Sequence, residues 1–216
     1  MADTKSLTPE QEALLAIQRL KQKVDELERA PRAPIAVVGM ACRFPAGAND
    51  LAAYWRLLIE GRDGISEVPR DRWPIDQYYD PDPDAPGKMS TRWGGFLRDV
   101  DVKAFDASYF GIAPKEAQTM DPQQRLLLEV VEEALEDGGI VPESLVGSKT
   151  GVFVGIATHD YRQMLGQLGE QRIDPYRETG NAFSVAAGRI SYIYGFKGPC
   201  IAVDTACSSS LVALHY

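Results

Sequence analysis

The chain has 216 residues, 44% of them hydrophobic and 25% charged, the proportions of a globular protein able to bury a core, which excludes fibrous and wholly disordered classes. With 31 acidic against 23 basic side chains and a net charge of -8, it carries no basic footprint for nucleic acid or anionic lipid. Three cysteines make no disulfide framework, and neither a signal-type apolar segment nor a bilayer-length run occurs, so the expectation is a cytoplasmic protein meeting small molecules or protein partners, with no membrane.

In chain order, Thr8-Pro9-Glu10-Gln11 has the form of a capping box with proline at the first helical position. It predicts a helix of roughly 22 residues, about 33 Å long, ending before Pro31. Ile17, Leu20, Val24 and Leu27 fall three and four apart, while Lys21, Asp25 and Arg29 offer i,i+4 charge pairs on another face. One narrow apolar stripe on a solvated helix wants a partner helix, so residues 1–30 read as a short coiled coil, the alternative being packing on its own domain. The first thirty residues hold six acids and five bases, which points to paired local charges for any docking specificity. Residues 31–34, Pro-Arg-Ala-Pro, read as a stiff linker.

From Ile35 the pattern becomes short β-rich runs alternating with helices, the mark of an α/β layer fold over residues 35–216. Ile35-Ala36-Val37-Val38-Gly39, apolar on both faces, predicts a buried strand. Asn49 or Asp50 can cap a helix carrying Leu51, Trp55 and Leu58 on one face, with Gly61 as its stop. Residues 65–106 are turn-rich and predict a long surface excursion. Asp121-Pro122-Gln123-Gln124 opens another helix, with Leu127, Val130, Val131, Ala134 and Leu135 at helical spacing as far as Gly138-Gly139. Residues 152–156 predict a second buried strand, 184–194 a small-residue helix closed by Gly195, and 201–204 a strand running into a tight turn and a final helix.

That last junction is the sharpest signal. A strand turning abruptly into a helix exposes one residue and aims helix N-terminal amides at it, and Cys207 occupies that place. The positive end of a helix dipole favours thiolate over thiol, which makes a cysteine so placed a usable nucleophile. Ala206, Ser208 and Ser209 leave room for an acyl group, and backbone N–H groups of such a turn can hold the oxyanion formed when a thioester is attacked. A buried structural cysteine is the alternative.

Val203-Asp204-Thr205-Ala206-Cys207-Ser208-Ser209-Ser210-Leu211 resembles the active-site segment of β-ketoacyl synthases, specifically ketosynthase domains of modular type I polyketide synthases. Residues 34–45 (PIAVVGMACRFP) resemble the opening strand of such domains, 120–125 (MDPQQR) the start of a helix, and 151–155 (GVFVG) an internal strand. The resemblance covers residues 34–216 and implies the N-terminal half of a layered, thiolase-like fold, with the first helix similar to the docking coiled coil that receives a chain from an upstream synthase polypeptide. It further implies that Cys207 accepts an acyl chain from the phosphopantetheine arm of an acyl carrier protein. The thioester then undergoes decarboxylative condensation with a malonyl-type extender. Other implied partners are a second copy, as a homodimer, and the upstream polypeptide through residues 8–30; no metal and no cofactor bound by this segment are expected. The family's supporting histidine pair lies well downstream of the nucleophile. Here the histidines are His159 and His215, and His215 would sit about 12 Å along a helix from Cys207 and roughly 80° around it. Condensation by these 216 residues alone is expected to fail, and the segment alone to expose core and fold poorly.

Several motifs read as decoys. Residues 147–150 (GSKT) lack the phosphate-loop spacing. Cys42 and Cys200 read as buried small residues rather than zinc ligands. Asp80, Asp82 and Asp84 read as a solvated turn rather than a calcium loop, and residues 93–96 (WGGF) as aromatic packing. His159 reads as a loop or interface histidine. Two rival functions remain at this point: a non-catalytic docking and dimerisation segment, or a cysteine thioester hydrolase with His159 as base.

Overall fold

The computed structural model describes residues 8–29, 34–98, 100, 103–167 and 175–216, and the linker residues 31–33 lie outside the described set. The chain divides into two compact units, Met1–Val37 and Val38–Tyr216. In the first, helix α1 spans Pro9–Arg29. Its start is the reciprocal capping box read from the sequence: the Thr8 N–H donates to Gln11 Oε1 at 3.0 Å and the Gln11 N–H to Thr8 Oγ1 at 3.3 Å. Ile17, Leu20 and Val24 are all at least half exposed, at 61%, 66% and 50%. Among the described residues Lys21 and Asp25 form no ion pair; the i,i+4 contact formed is Gln22 to Glu26 at 3.2 Å.

The second unit is built on strands β3 (Val152–Gly155) and β4 (Cys200–Val203), following the small ribbon strands β1 (Ser66–Glu67) and β2 (Trp93–Gly94). β3 and β4 pair in parallel, with Val152 opposite Cys200 and Gly155 opposite Val203. Among the described residues three helices lie in the connection between them: α6 (Asp160–Gln167), α7 (Pro175–Thr179) and α8 (Phe183–Ile193). Arg162 of α6 pairs with Glu178 of α7 at 2.9 Å, and Ala186 and Ala187, 2% and 0% exposed, let the α8 backbone approach the core closely. Helix α5 (Pro122–Asp137) begins at Asp121, whose carboxylate accepts the Gln123 N–H at 2.8 Å. The core gathers Met120, Leu128, Val152, Val154, Ile156, Ile190, Tyr194 and Phe196. Leu128, absent from the apolar positions picked by spacing, is wholly buried.

Buried polar side chains stitch the helices together. Gln124 donates to the Thr179 and Ala182 carbonyls and accepts from Arg189 at 3.0 Å. Arg189 also pairs with Glu116 of helix α4 (Pro114–Thr119) at 2.5 Å. Arg125 donates to the Met120 carbonyl at 2.6 Å. These bonds satisfy groups whose burial unpaired would cost on the order of 1–3 kcal/mol each. Among the described residues no helix is long and apolar enough to cross a membrane.

Two expectations are corrected. Residues 35–39 form no strand, and Ile35, Val37 and Val38 are 93%, 73% and 66% exposed. Among the described residues no strand pairs with this run; at its end Gly39 packs on the end of α5, where an added Cβ would stand 2.1 Å from the Ala134 carbonyl oxygen, and beyond it the Met40 N–H donates to the Asp137 carboxylate at 2.9 Å. Cys200 is exposed, whereas Cys42 is buried as expected; Cys200 opens β4, which among the described residues pairs with β3 and no other strand. Helix α2 (Leu51–Ile59) is capped by Asp50, which accepts the Ala53 N–H at 2.7 Å, but buries none of its residues. The excursion of residues 65–106 contains the ribbon β1–β2 and a one-turn helix α3 (Ile75–Tyr78). Within it Asp80 and Asp82 each accept a backbone N–H two residues on.

Candidate active site at the strand-to-helix elbow

β4 ends at Val203, a 3₁₀ turn covers Ala206–Ser208, and helix α9 spans Ser209–His215. Cys207 sits in that turn with its side chain exposed. Ala206, immediately before it, has φ +54°, a left-handed conformation that costs an L-residue about 1–2 kcal/mol. Short hydroxyl contacts hold it there. Ser209, buried to 6% exposure, accepts the Thr205 N–H at 2.9 Å and donates to the Ala206 carbonyl at 2.7 Å. Ser208 donates to the Thr205 carbonyl at 2.9 Å, and Asp204 accepts the Ala206 N–H at 3.1 Å. All of these bonds lie within residues 204–209, so the serine-rich sequence around Cys207 shapes the turn. Among the described residues the Cys207 N–H has no backbone acceptor, which leaves a donor beside the thiol of the kind that holds an oxyanion.

β3 supports the elbow from beside it. A Cβ built on Gly155 would stand 2.6 Å from Ser210 N and 2.7 Å from Ser209 C, so α9 approaches so closely that only glycine fits. Because β3 and β4 run parallel, the loop after β3 leaves the same end of the pair as the elbow, the end where open α/β sheets place their ligands. In that loop Thr158 has φ +91°, unusual for a β-branched residue, and its carbonyl accepts from Gln123 at 3.4 Å. His159 lies flat on Phe183 with ring centroids 4.0 Å apart, while His215 is the last residue of α9. The third cysteine, Cys42, is set apart by its surroundings: burial, then Asp50, pushes its thiol up, the direction that disfavours a nucleophile.

Of the positions picked from sequence, Cys207 is where expected and the small residues flanking it are turn-forming. Ala206 and Ser209, read as small neighbours leaving room for an acyl group, instead carry the strain and the bracing bonds of the turn, while the close approach at Gly155 and the strained Thr158 went unremarked. Gly155 had a signal available in a glycine inside an apolar strand, which marks a close backbone approach; the two strained residues had none.

Comparison with known proteins places the chain in a family. A family model described as "Beta-ketoacyl synthase, N-terminal domain" matches residues 32–216. The chain belongs to that family. It is similar to the phenolphthiocerol/phthiocerol polyketide synthase of Mycobacterium tuberculosis, to one polypeptide of which it is 50% identical over 205 residues, covering 93% of this chain and 13% of that protein. With another polypeptide of the same synthase it is 54% identical over 182 residues, covering 84% of this chain and 10% of that one. Among solved structures, the oxazolomycin ketosynthase domain OzmH KS7 of Streptomyces albus JA3453 superposes with a TM-score of 0.74 at 44% identity, covering 83% of this chain and 30% of that one. The ketosynthase from module 6 of the bacillaene synthase of Bacillus subtilis 168 gives 0.70 at 40% identity, with 83% and 28% covered. The fold is therefore that of the ketosynthases, and the chain spans under a third of the length of these structures and 13% or less of these synthase polypeptides.

Proposed function

We propose that this chain is the nucleophile-bearing part of a polyketide ketosynthase, and that Cys207 accepts an acyl chain from a phosphopantetheine thioester on an acyl carrier protein. The observation that carries this reading is an exposed cysteine on a hydroxyl-braced strand-to-helix elbow in a chain of this family. The Cys207 sulfur attacks the acyl carbonyl, the Cys207 N–H faces the oxygen that becomes negative, and the pantetheine thiol leaves as the Cys207 thioester forms. A malonyl-type extender then loses carbon dioxide, its carbanion attacks the acyl carbon, and the Cys207 thiolate departs, leaving a β-ketoacyl thioester two backbone carbons longer. His159 stacks on Phe183 and His215 ends α9, so neither is assigned the task of assisting decarboxylation. The exposed stripe of α1 supports docking of residues 8–30 to an upstream polypeptide. A second copy of the chain completes the proposed assembly.

Intact-mass measurement after incubation with an acyl-pantetheine thioester, beside Cys207→Ala and with peptide mapping, tests the reading. One acyl group on Cys207, lost in the variant, is the expected result. Failure of acylation in both the 216-residue chain and a longer one carrying it overturns the catalytic reading in favour of a docking segment.

A further inference from the structure

On the face formed by α5, the end of α8 and the turn after α5 there is a cavity of about 320 Å³, near the lower end of small-ligand sites. Tyr109, Phe110 and Tyr194 supply its aromatic walls and Glu132 and Glu143 its charge. Tyr109 meets Phe110 edge to face at 4.9 Å. Glu132, half-buried, accepts the Tyr109 hydroxyl on Oε1 at 2.8 Å and the Tyr194 hydroxyl on Oε2 at 2.7 Å. Both its oxygens are thus held by neutral phenols. Among the described residues no basic side chain pairs with Glu132 or Glu143.

The local field is negative for reasons that reach past these two carboxylates. Glu132 first, then burial, then Glu136 and Glu143 push the Tyr109 phenol up, and burial followed by Glu132 does the same to Tyr194. α5 brings Glu132, Glu133, Glu136 and Asp137 into its C-terminal half with no basic residue in its last turn, although acids at that end oppose the helix dipole. Arg43 offsets Glu133 on another side of the helix. A half-buried carboxylate with no countercharge, walled by aromatic faces, is the chemistry that receives a cation.

We propose that this cavity docks an arginine side chain carried by a separate polypeptide. A guanidinium stacks on a tyrosine or phenylalanine face while its planar fork donates to carboxylate lone pairs. The Glu132 oxygens, already holding one phenol proton each, retain lone pairs for such donors, and Glu143 at the rim supplies a second acceptor. Phosphate-bearing and carboxylate ligands are excluded by the sign of the field. This site stands apart from the elbow and does not depend on the chemistry proposed for Cys207.

The test is titration of the intact chain with N-acetyl-arginine amide, followed through ring signals of ¹³C-labelled tyrosine, with the citrulline analogue as a neutral isostere. Saturable shifts at Tyr109 and Tyr194 are expected with arginine and not with citrulline. Glu143→Gln, which changes an exposed rim residue and leaves the Glu132 bonds intact, is expected to weaken binding by about threefold or more, the loss of one exposed charge contact. No shift with arginine, equal shifts with citrulline, or unchanged affinity in Glu143→Gln would each overturn the proposal.

Discussion

At the scale of single residues, the elbow shows how small side chains can matter more than reactive ones. Cys207 differs from Cys42 by position alone: one is exposed in a turn and the other buried with its thiol pushed up. What creates that position is the glycine beside it. Gly155→Ala would force a methyl to 2.6 Å from Ser210 N, against backbone that cannot yield without moving α9. The expected outcome is a loss of about 1–3 kcal/mol of stability, read as a lower urea midpoint, with slower acylation of Cys207 by an acyl-pantetheine thioester. Cys207 was legible because strand, turn and helix signals converge on it. Ala206 and Thr158 were not, since a left-handed backbone at a non-glycine residue is imposed by its neighbours and leaves no mark in residue type.

At the scale of elements, legibility followed the local signals. The capping box at Thr8 places the start of α1, and Asp121 with Pro122 places α5, because a cap and a proline act on the residues beside them. Thr8→Ala is accordingly expected to cost a peptide spanning residues 8–29 about 1 kcal/mol of helix stability, seen as lost far-ultraviolet ellipticity, whereas Gln22→Ala at the single described i,i+4 contact should change it little. Residues 35–39 show the opposite case. Apolarity on both faces states that a segment wants neighbours, but it does not say that they are within reach, and Ile35, Val37 and Val38 stay exposed. Gln124 and Arg125 were invisible for a related reason: their burial is made tolerable by carbonyls tens of residues away in the chain, or by one that only the helix start brings near.

At the scale of the whole molecule, charge placement makes stability depend on pH. Burial raises the Glu129 carboxyl above its ordinary value, Arg43 opposes this, and Glu133 adds to it. A carboxyl raised in the folded state favours folding while protonated, and that contribution is lost as pH climbs from the ordinary carboxylate range through the raised value. Glu129→Gln is therefore expected to be more stable than the parent at neutral pH, with the advantage shrinking on acidification; paired urea titrations at the two pH values check the sign. An advantage that grew on acidification would contradict it. The layered α/β character was readable from alternating patterns, and α2 and α9 leave Trp55, Leu211 and Leu214 largely open.

The parallel pairing of β3 with β4 also sets an order of events in time. Residues 156–199 separate the two strands, so their ladder closes a long loop, and contacts of that sequence separation form late because the entropy of closure is lost before they return anything. The hydroxyl bonds of the elbow are short-range, yet α9 takes its seat against Gly155 only once the ladder exists. That order predicts a nucleophile assembled on the native side of the folding barrier. Gly155→Ala is expected to accelerate unfolding far more than it slows folding, an asymmetry that stopped-flow measurements in urea resolve directly.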